Sequence, residues 1–241
     1  MLKTFSITDI GLKRKLNQDY VFSSEMQVGK LPNLFVVADG MGGHKAGDYA
    51  SREATRIMIE YIEDCQEDNP IVVIRKAIEL ANSRLIHKAR ECEDYAGMGT
   101  TIVAATIIEG CMFVANVGDS RLYLLNEELR QITKDHSYVG EMVRMGSLDE
   151  EAARFHPKKN VITRAVGGGN EIQIDFFEIP LSPGDVILMC TDGLTNMLDD
   201  SEIRLIIQKQ RDVVEKAEAL VKAANENGGL DNITVTIIEN V

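Results

Sequence analysis

Four aspartates stand at the ends of apolar runs, where a strand would hold a carboxylate on a rigid support. Asp39 closes Val36-Val37-Ala38-Asp39-Gly40, Asp119 follows Val117-Gly118, Asp192 follows Met189-Cys190-Thr191, and Asp231 precedes Asn232-Ile233. Burying a carboxylate unpaired is expensive, so each needs hydrogen-bond donors or a cation. Several such ends converging make a metal site. Carboxylates, a backbone carbonyl and water suit Mg²⁺ or Mn²⁺, hard cations that prefer oxygen and keep much of their hydration shell. Taken singly, each Asp-Gly pair reads as a turn in which Asp bonds its own backbone and Gly supplies a positive φ. Spacing alone does not show convergence, and both readings stand at this point.

The elements that must position these groups follow from periodicity. Lys3 to Asp9 alternates as a half-buried strand, and Leu34 to Ala38 is a continuous β-branched and aromatic run. After Gly42-Gly43 the spacing turns helical up to about Asp64, and a second helix runs from near Pro70 to about Cys92. Thr101 to Ile108, Met112 to Val117 and Arg121 to Leu125 read as an antiparallel meander with turns at Glu109-Gly110 and Gly118-Asp119, continuing from Asn126. Ser137 to about Val161 is polar, with short helical stretches and weak apolar content, and reads as a mobile surface insertion. Strands resume at Val161 to Val166, Ile172 to Ile179 and Val186 to Cys190. Helices at about Asp200 to Lys209 and Asp212 to Glu226 precede a last strand at Ile233 to Ile238. This order lacks the regular alternation of a parallel doubly wound sheet and points to packed antiparallel sheets with helix pairs outside.

Composition narrows the function. The 241 residues, 44% hydrophobic and 27% charged, are those of an ordinary packed domain, and one domain, 1–241, is expected. Lys+Arg 26 against Asp+Glu 38 gives a formal charge of −12, which disfavours nucleic acid and anionic membrane surfaces as partners. Apolar runs are far too short to span a bilayer, and the first residues lack a signal-peptide pattern, so a cytoplasmic protein is expected. Cys65, Cys92, Cys111 and Cys190 are widely spaced and read as reduced core thiols. Gly167-Gly168-Gly169 lacks the Lys-Ser/Thr and helix start of a phosphate loop and reads as a flexible turn.

Six ordered motifs carry a resemblance. Arg14-Lys15-Leu16-Asn17-Gln18-Asp19, Asp39-Gly40-Met41-Gly42-Gly43-His44, Gly97-Met98-Gly99-Thr100-Thr101, Val117-Gly118-Asp119-Ser120-Arg121, Asp192-Gly193-Leu194 and Asp231-Asn232-Ile233-Thr234 span nearly the whole chain. Together they resemble the metal-dependent type 2C protein serine/threonine phosphatases, in their bacterial branch. The resemblance implies a four-layer α-β-β-α sandwich, two antiparallel sheets flanked by helix pairs, with a flap at about 137–161 that influences substrate choice or binding of a third metal. It implies that Asp39 bridges two Mn²⁺ or Mg²⁺ ions, with the Gly40 carbonyl on one and Asp192 and Asp231 on the other. A water or hydroxide between them attacks phosphorus without a covalent intermediate.

By the same resemblance Asp19 lies in or just outside this shell and Asp119 binds a weaker third ion, to which Asp192 contributes. Arg14 is the phosphate-binding arginine, whose planar fork engages two oxygens. Where many eukaryotic members carry a histidine as candidate general acid this chain has Met41, which cannot donate a proton; His44, three positions on, is the candidate to contact substrate or protonate the leaving oxygen. His87, His136 and His156 read as structural or solvated. The implied substrates are phosphorylated proteins, with a cognate Ser/Thr kinase as partner and a monomeric state expected. A non-catalytic phosphoprotein binder and a two-metal nuclease are the competing classes. The retained Asp39, Asp192 and Asp231 argue against the first, and the charge of −12 against the second.

Overall fold

A computed structural model describes residues 2–43 and 46–240, with Glu150 by its backbone alone. The strands are β1 (Leu2–Asp9), β2 (Asp19–Ser24), β3 (Leu34–Met41), β4 (Gly99–Thr100), β5 (Ile102–Ile108), β6 (Cys111–Val117), β7 (Arg121–Leu125), β8 (Leu129–Gln131), β9 (Asp175–Pro180), β10 (Val186–Cys190) and β11 (Ile233–Asn240). The helices are α1 (Ala46–Asp64), α2 (Pro70–Glu91), α3 (Tyr138–Arg144), α4 (Glu150–Phe155), α5 (Asp192–Thr195), α6 (Asp200–Lys209) and α7 (Val213–Glu226). One antiparallel sheet runs β1-β11-β10-β7-β8; the other runs β2-β3-β5-β6-β9, with β4 on β3.

Alternation along the strands makes the layers. In β3, Leu34, Val36 and Ala38 pack against Ala50, Ala54, Met58 and Ile62 of α1 and Ile74, Ile78 and Leu85 of α2. The intervening Phe35 and Val37 face the other sheet, meeting Leu122, Leu124, Ile187, Met189 and Ile238. On that sheet's outer side Tyr123, Leu188, Val235 and Ile237 carry Ile203 and Ile207 of α6 and Ala217 and Leu220 of α7. Each core side chain removed from water contributes roughly 1.5–3 kcal/mol. The result is the expected α-β-β-α sandwich. Helix starts are fixed locally: Asn69 accepts from the Ile71 and Val72 amides beside Pro70, and Asp199 with Glu202 forms a reciprocal cap on α6.

Several expectations need correction. The run Met112 to Leu125 is no meander, because β6 and β7 belong to different sheets. Gly118 makes the crossing: its φ is +106°, and a Cβ there would lie 2.5 Å from Thr101 Cγ2. Val161 to Val166 is not a strand; only the isolated bridges Ser137–Ile162 and Thr100–Val166 form. Both β2 and the short α5 are additions, because neither carries a periodic signal in the sequence. Among the thiols only Cys190 is fully buried, and Cys65, Cys92 and Cys111 are half-buried. The Gly167 to Gly169 turn is clasped by Asn82, whose Oδ1 accepts from the Gly167 amide at 2.7 Å and whose Nδ2 donates to the Gly169 carbonyl at 2.9 Å. Among the described residues no helix is long and apolar enough to cross a membrane.

Candidate active site

The layer between the sheets changes character at one end. Phe35 and Val37 are followed on the same face by Asp39, Val21 is preceded by Asp19, Ile238 gives way to Thr236 and Thr234, and Ile187 and Met189 to Thr191. Apolar packing stops there and a cleft of carboxylates and hydroxyls begins.

Asp19 and Asp39 are direct cross-strand partners in β2 and β3. Asp19 is buried, and its Oδ2 accepts from Thr191 Oγ1 at 2.8 Å and Thr234 Oγ1 at 2.7 Å, so the end of β10 and the start of β11 in the opposite sheet both reach this carboxyl. The Asp39 amide donates to Thr101 Oγ1 at 2.9 Å, and Thr101 Oγ1 pairs with Ser120 Oγ at 2.7 Å. Asp192 is the first residue of α5. Its Oδ2 accepts from Asn196 Nδ2 at 2.9 Å, while its Oδ1 is buried without a hydrogen-bond partner. The neighbouring Asp39 side chain lowers the Asp192 carboxyl, against the larger upward push of burial and of Asp231.

The two Asp-Gly pairs are not turns built on positive φ. Gly40 sits inside β3, where a Cβ would lie 2.0 Å from the Gly47 carbonyl oxygen, and its own carbonyl faces Gly47 at the start of α1. A Cβ on Gly193 would lie 1.8 Å from the Asn232 carbonyl oxygen. In both places glycine permits backbones to approach closely around an acidic neighbour.

Asp231 faces the cleft from the loop before β11. Its Oδ2 accepts from Arg14 Nη2 at 2.7 Å and its Oδ1 from the Asn232 amide at 2.9 Å. Arg14, half exposed, thus stands at the site but on a carboxylate, in the place the resemblance gives to phosphate. Asp119 is buried at the sheet crossing. His44 lies outside the described residues.

Burial dominates the electrostatics. It raises the Asp19 carboxyl to about 7, against the pull of the Thr234 and Thr191 hydroxyls and with the repulsion of Asp192 and Asp231. Asp39 is raised well above the carboxylate range by burial and then by Asp19 and Asp192. Burial and then Asp192 raise Asp119; burial and then Asp231 raise Asp192. So many mutually repelling carboxyls around a partnerless buried oxygen call for positive charge, and an all-oxygen donor set fits Mg²⁺ or Mn²⁺. Among the described residues no three acidic, histidine or cysteine side chains already form a cage around one point. Asp231 is turned onto Arg14.

Sequence reasoning gives no role to Asn232, Thr191, Thr234 or Thr101. Asn232 is buried; its Oδ1 accepts from the Gln18 amide at 2.8 Å, and its Nδ2 donates to the carbonyls of Ile10 at 2.9 Å and Leu16 at 3.1 Å. It holds the loop that carries Arg14. Its presence in the Asp231-Asn232-Ile233-Thr234 motif is the available signal.

The family profile described as protein phosphatase 2C matches residues 13–233. The chain belongs to the protein phosphatase 2C family of metal-dependent protein serine/threonine phosphatases. It is 43% identical over 237 residues to protein phosphatase PhpP of Streptococcus pneumoniae, covering 96% of this chain and 95% of that one. The serine/threonine phosphatase Stp1 of Staphylococcus aureus superposes with a TM-score of 0.92 at 35% identity, over 99% of this chain and 95% of that one. The catalytic domain of the phosphatase PstP, solved in complex with two manganese ions, gives a TM-score of 0.87 at 32% identity, over 99% and 97%.

Proposed function

We propose that the acidic cleft carries out the family's reaction on proteins phosphorylated by a cognate Ser/Thr kinase, with water attacking phosphorus directly and the serine or threonine oxygen leaving. The observation that carries this reading is the pairing of Asp19 with Asp39 across β2 and β3, beside the partnerless Asp192 Oδ1. Asp39 with the Gly40 carbonyl would hold one ion, and Asp39 with Asp192 and Asp231 the other; Asp119 would serve a weaker third. A pair of divalent cations, when bound, lowers the pKa of water and offsets the charge of phosphate.

The chain's own residues do the rest. Asp19, fixed by Thr191 and Thr234, holds water at the edge of the shell. Arg14 exchanges Asp231 for the phosphate, engaging two equatorial oxygens as charge builds on them. His44 is the candidate to meet substrate or protonate the leaving oxygen. The reading extends to one domain over 1–241 with a flap at 137–161, a monomer in the cytoplasm, and either Mn²⁺ or Mg²⁺ as the working ion.

The test is turnover of p-nitrophenyl phosphate and a phosphothreonine peptide with Mn²⁺ and then with EDTA, in the native protein and in Asp39→Asn. Metal-dependent turnover of both substrates that Asp39→Asn abolishes, with folding retained, is the expected result. Near-native activity in that variant, or a preference for phosphodiesters, overturns the assignment.

A further inference from the structure

His136 lies outside the acidic cleft and is buried, with 1% of its side chain exposed. Its backbone amide donates to the Gly118 carbonyl at 3.0 Å, and the Gly118 amide donates to its Nδ1 at 3.1 Å. Both polar groups of Gly118, the residue before Asp119, are therefore taken by one histidine. Because Nδ1 accepts, the ring proton sits on Nε2 and points to Asp175 Oδ2 at 3.2 Å. Arg164 holds the other oxygen of Asp175 at 2.9 Å. Burial lowers the basicity of the ring, consistent with the neutral form.

The same residue stands where the 137–161 segment leaves and rejoins the body. Ser137, next in sequence, caps α3 through the Gly140 amide, and the Thr163 amide donates to the His136 carbonyl at 2.8 Å. Asp135, before it, is gripped by Arg121 through Nη2 at 2.6 Å and Nε at 3.0 Å, and its carbonyl accepts from Arg144 of α3 at 2.9 Å. Beyond this base the segment is partly open: Met145 and Phe155 are about four-fifths exposed to solvent, whereas Val139 is buried and Arg154 Nη2 donates to the Leu198 carbonyl at 3.1 Å.

We propose that His136 is a positioning residue that ties the base of the 137–161 segment to the Gly118–Asp119 crossing, so that order in the segment and placement of the Asp119 carboxylate change together. The inference deepens the metal reading of Asp119 and rests on it. His136 itself touches neither ion nor substrate. It acts on a carboxylate through the peptide that precedes it, as outer partners do when they orient a metal ligand.

The test compares His136→Ala, His136→Asn and Asp119→Asn by hydrogen exchange and by calorimetric titration with Mn²⁺ alone. His136→Ala should speed exchange together in peptides spanning 117–120 and 137–161, and weaken the weakest manganese site about tenfold or more. His136→Asn, whose amide oxygen can still accept from Gly118, should restore slow exchange at 117–120 and most of the affinity. If His136→Ala fails to fold, Asp175→Asn, which weakens the hold on the His136 ring at Nε2, should speed exchange at 117–120 and 137–161 together, to a smaller extent. Loosening of 137–161 with Gly118 exchange and manganese binding unchanged overturns the proposal, as does an Asn variant no better than Ala. Asp119→Asn should lose the weak site with exchange unchanged. If it keeps that site the metal reading of Asp119 fails by itself, and the tie is then decided by the exchange data.

Discussion

Replacing Asp19 with asparagine isolates what the acidic cleft costs the fold. In the folded protein burial holds this carboxyl at about 7 against an ordinary value of 3.8. The folded state therefore binds the proton more tightly than the unfolded chain. The stability this contributes is complete below about 3.8 and is lost as pH rises through about 7. At about 1.4 kcal/mol per unit, the interval amounts to on the order of 4 kcal/mol, of which about 3 kcal/mol falls between pH 5 and pH 8. The asparagine of the variant would carry no proton to lose and would keep an oxygen to accept from Thr191 and Thr234. For a domain of this size about 3 kcal/mol corresponds to roughly 6–12 °C in Tm. In EDTA, thermal melts followed by circular dichroism should show native Tm falling between pH 5 and pH 8 by that much more than the Asp19→Asn protein. Saturating Mn²⁺ should reverse the native slope, since the ion competes with protons for the carboxylates and stabilises the folded state that binds it. Parallel melting curves for the two proteins in EDTA refute the reasoning, because they mean the buried carboxyl titrates alike folded and unfolded.

Arg14→Ala should raise KM for p-nitrophenyl phosphate about tenfold or more, the scale of a charge-assisted hydrogen bond, while Tm changes little because its pair with Asp231 is half exposed; an unchanged KM removes Arg14 from phosphate binding. Asn232→Ala strips partners from the Gln18 amide and the Ile10 and Leu16 carbonyls, so a loss of about 2–4 kcal/mol is expected in urea unfolding, and a loss under about 1 kcal/mol denies it the clamping role. Gly193→Ala drives a Cβ into the Asn232 carbonyl and should cost more than about 4 kcal/mol or prevent folding, whereas Gly169→Ala, with only the Glu171 carbonyl oxygen nearby at 3.8 Å, should stay within about 0.5 kcal/mol. Equal melting temperatures for those two variants contradict the close-approach account.

What can be read from the residues in advance is whatever rests on local periodicity. Ala46–Asp64 and Asp200–Lys209 are amphipathic over several turns, and Leu34 to Ala38 is apolar on both faces because it lies between a helix layer and the second sheet. The failures share a cause. The Gly118–Asp119 crossing looks like a hairpin because both flanking strands alternate correctly, and the long-range contacts that hold Gly118 where the chain passes to the other sheet, with Thr101 and His136, leave no local mark. Val161 to Val166 is as apolar as a short strand but lies beside Ser137 and Thr100 through single bridges, with no partner of sufficient length. The carboxylates are marked by their positions at strand ends. Their closeness is not marked so, since Asp19 and Asp39 meet only through the β2–β3 register, and β2 lacks a clear alternating pattern.

The placement of the cleft explains why these acids can be kept at all. A strand face is a ruler of period two, so the positions that bury Phe35 and Val37 also aim Asp39, and those that bury Ile238 also aim Thr234. One core therefore orients the acids with no further loss of backbone freedom, and the hydroxyls of Thr191 and Thr234 offset part of the cost of burying Asp19. They do not offset all of it, because burial leaves Asp19 and Asp39 raised and Asp192 Oδ1 without a partner. A sandwich with three packed interfaces can carry that residual destabilisation at one end, and a cleft so held is ready to exchange protons for cations. Stability and activity are thus set against each other at the same carboxyls.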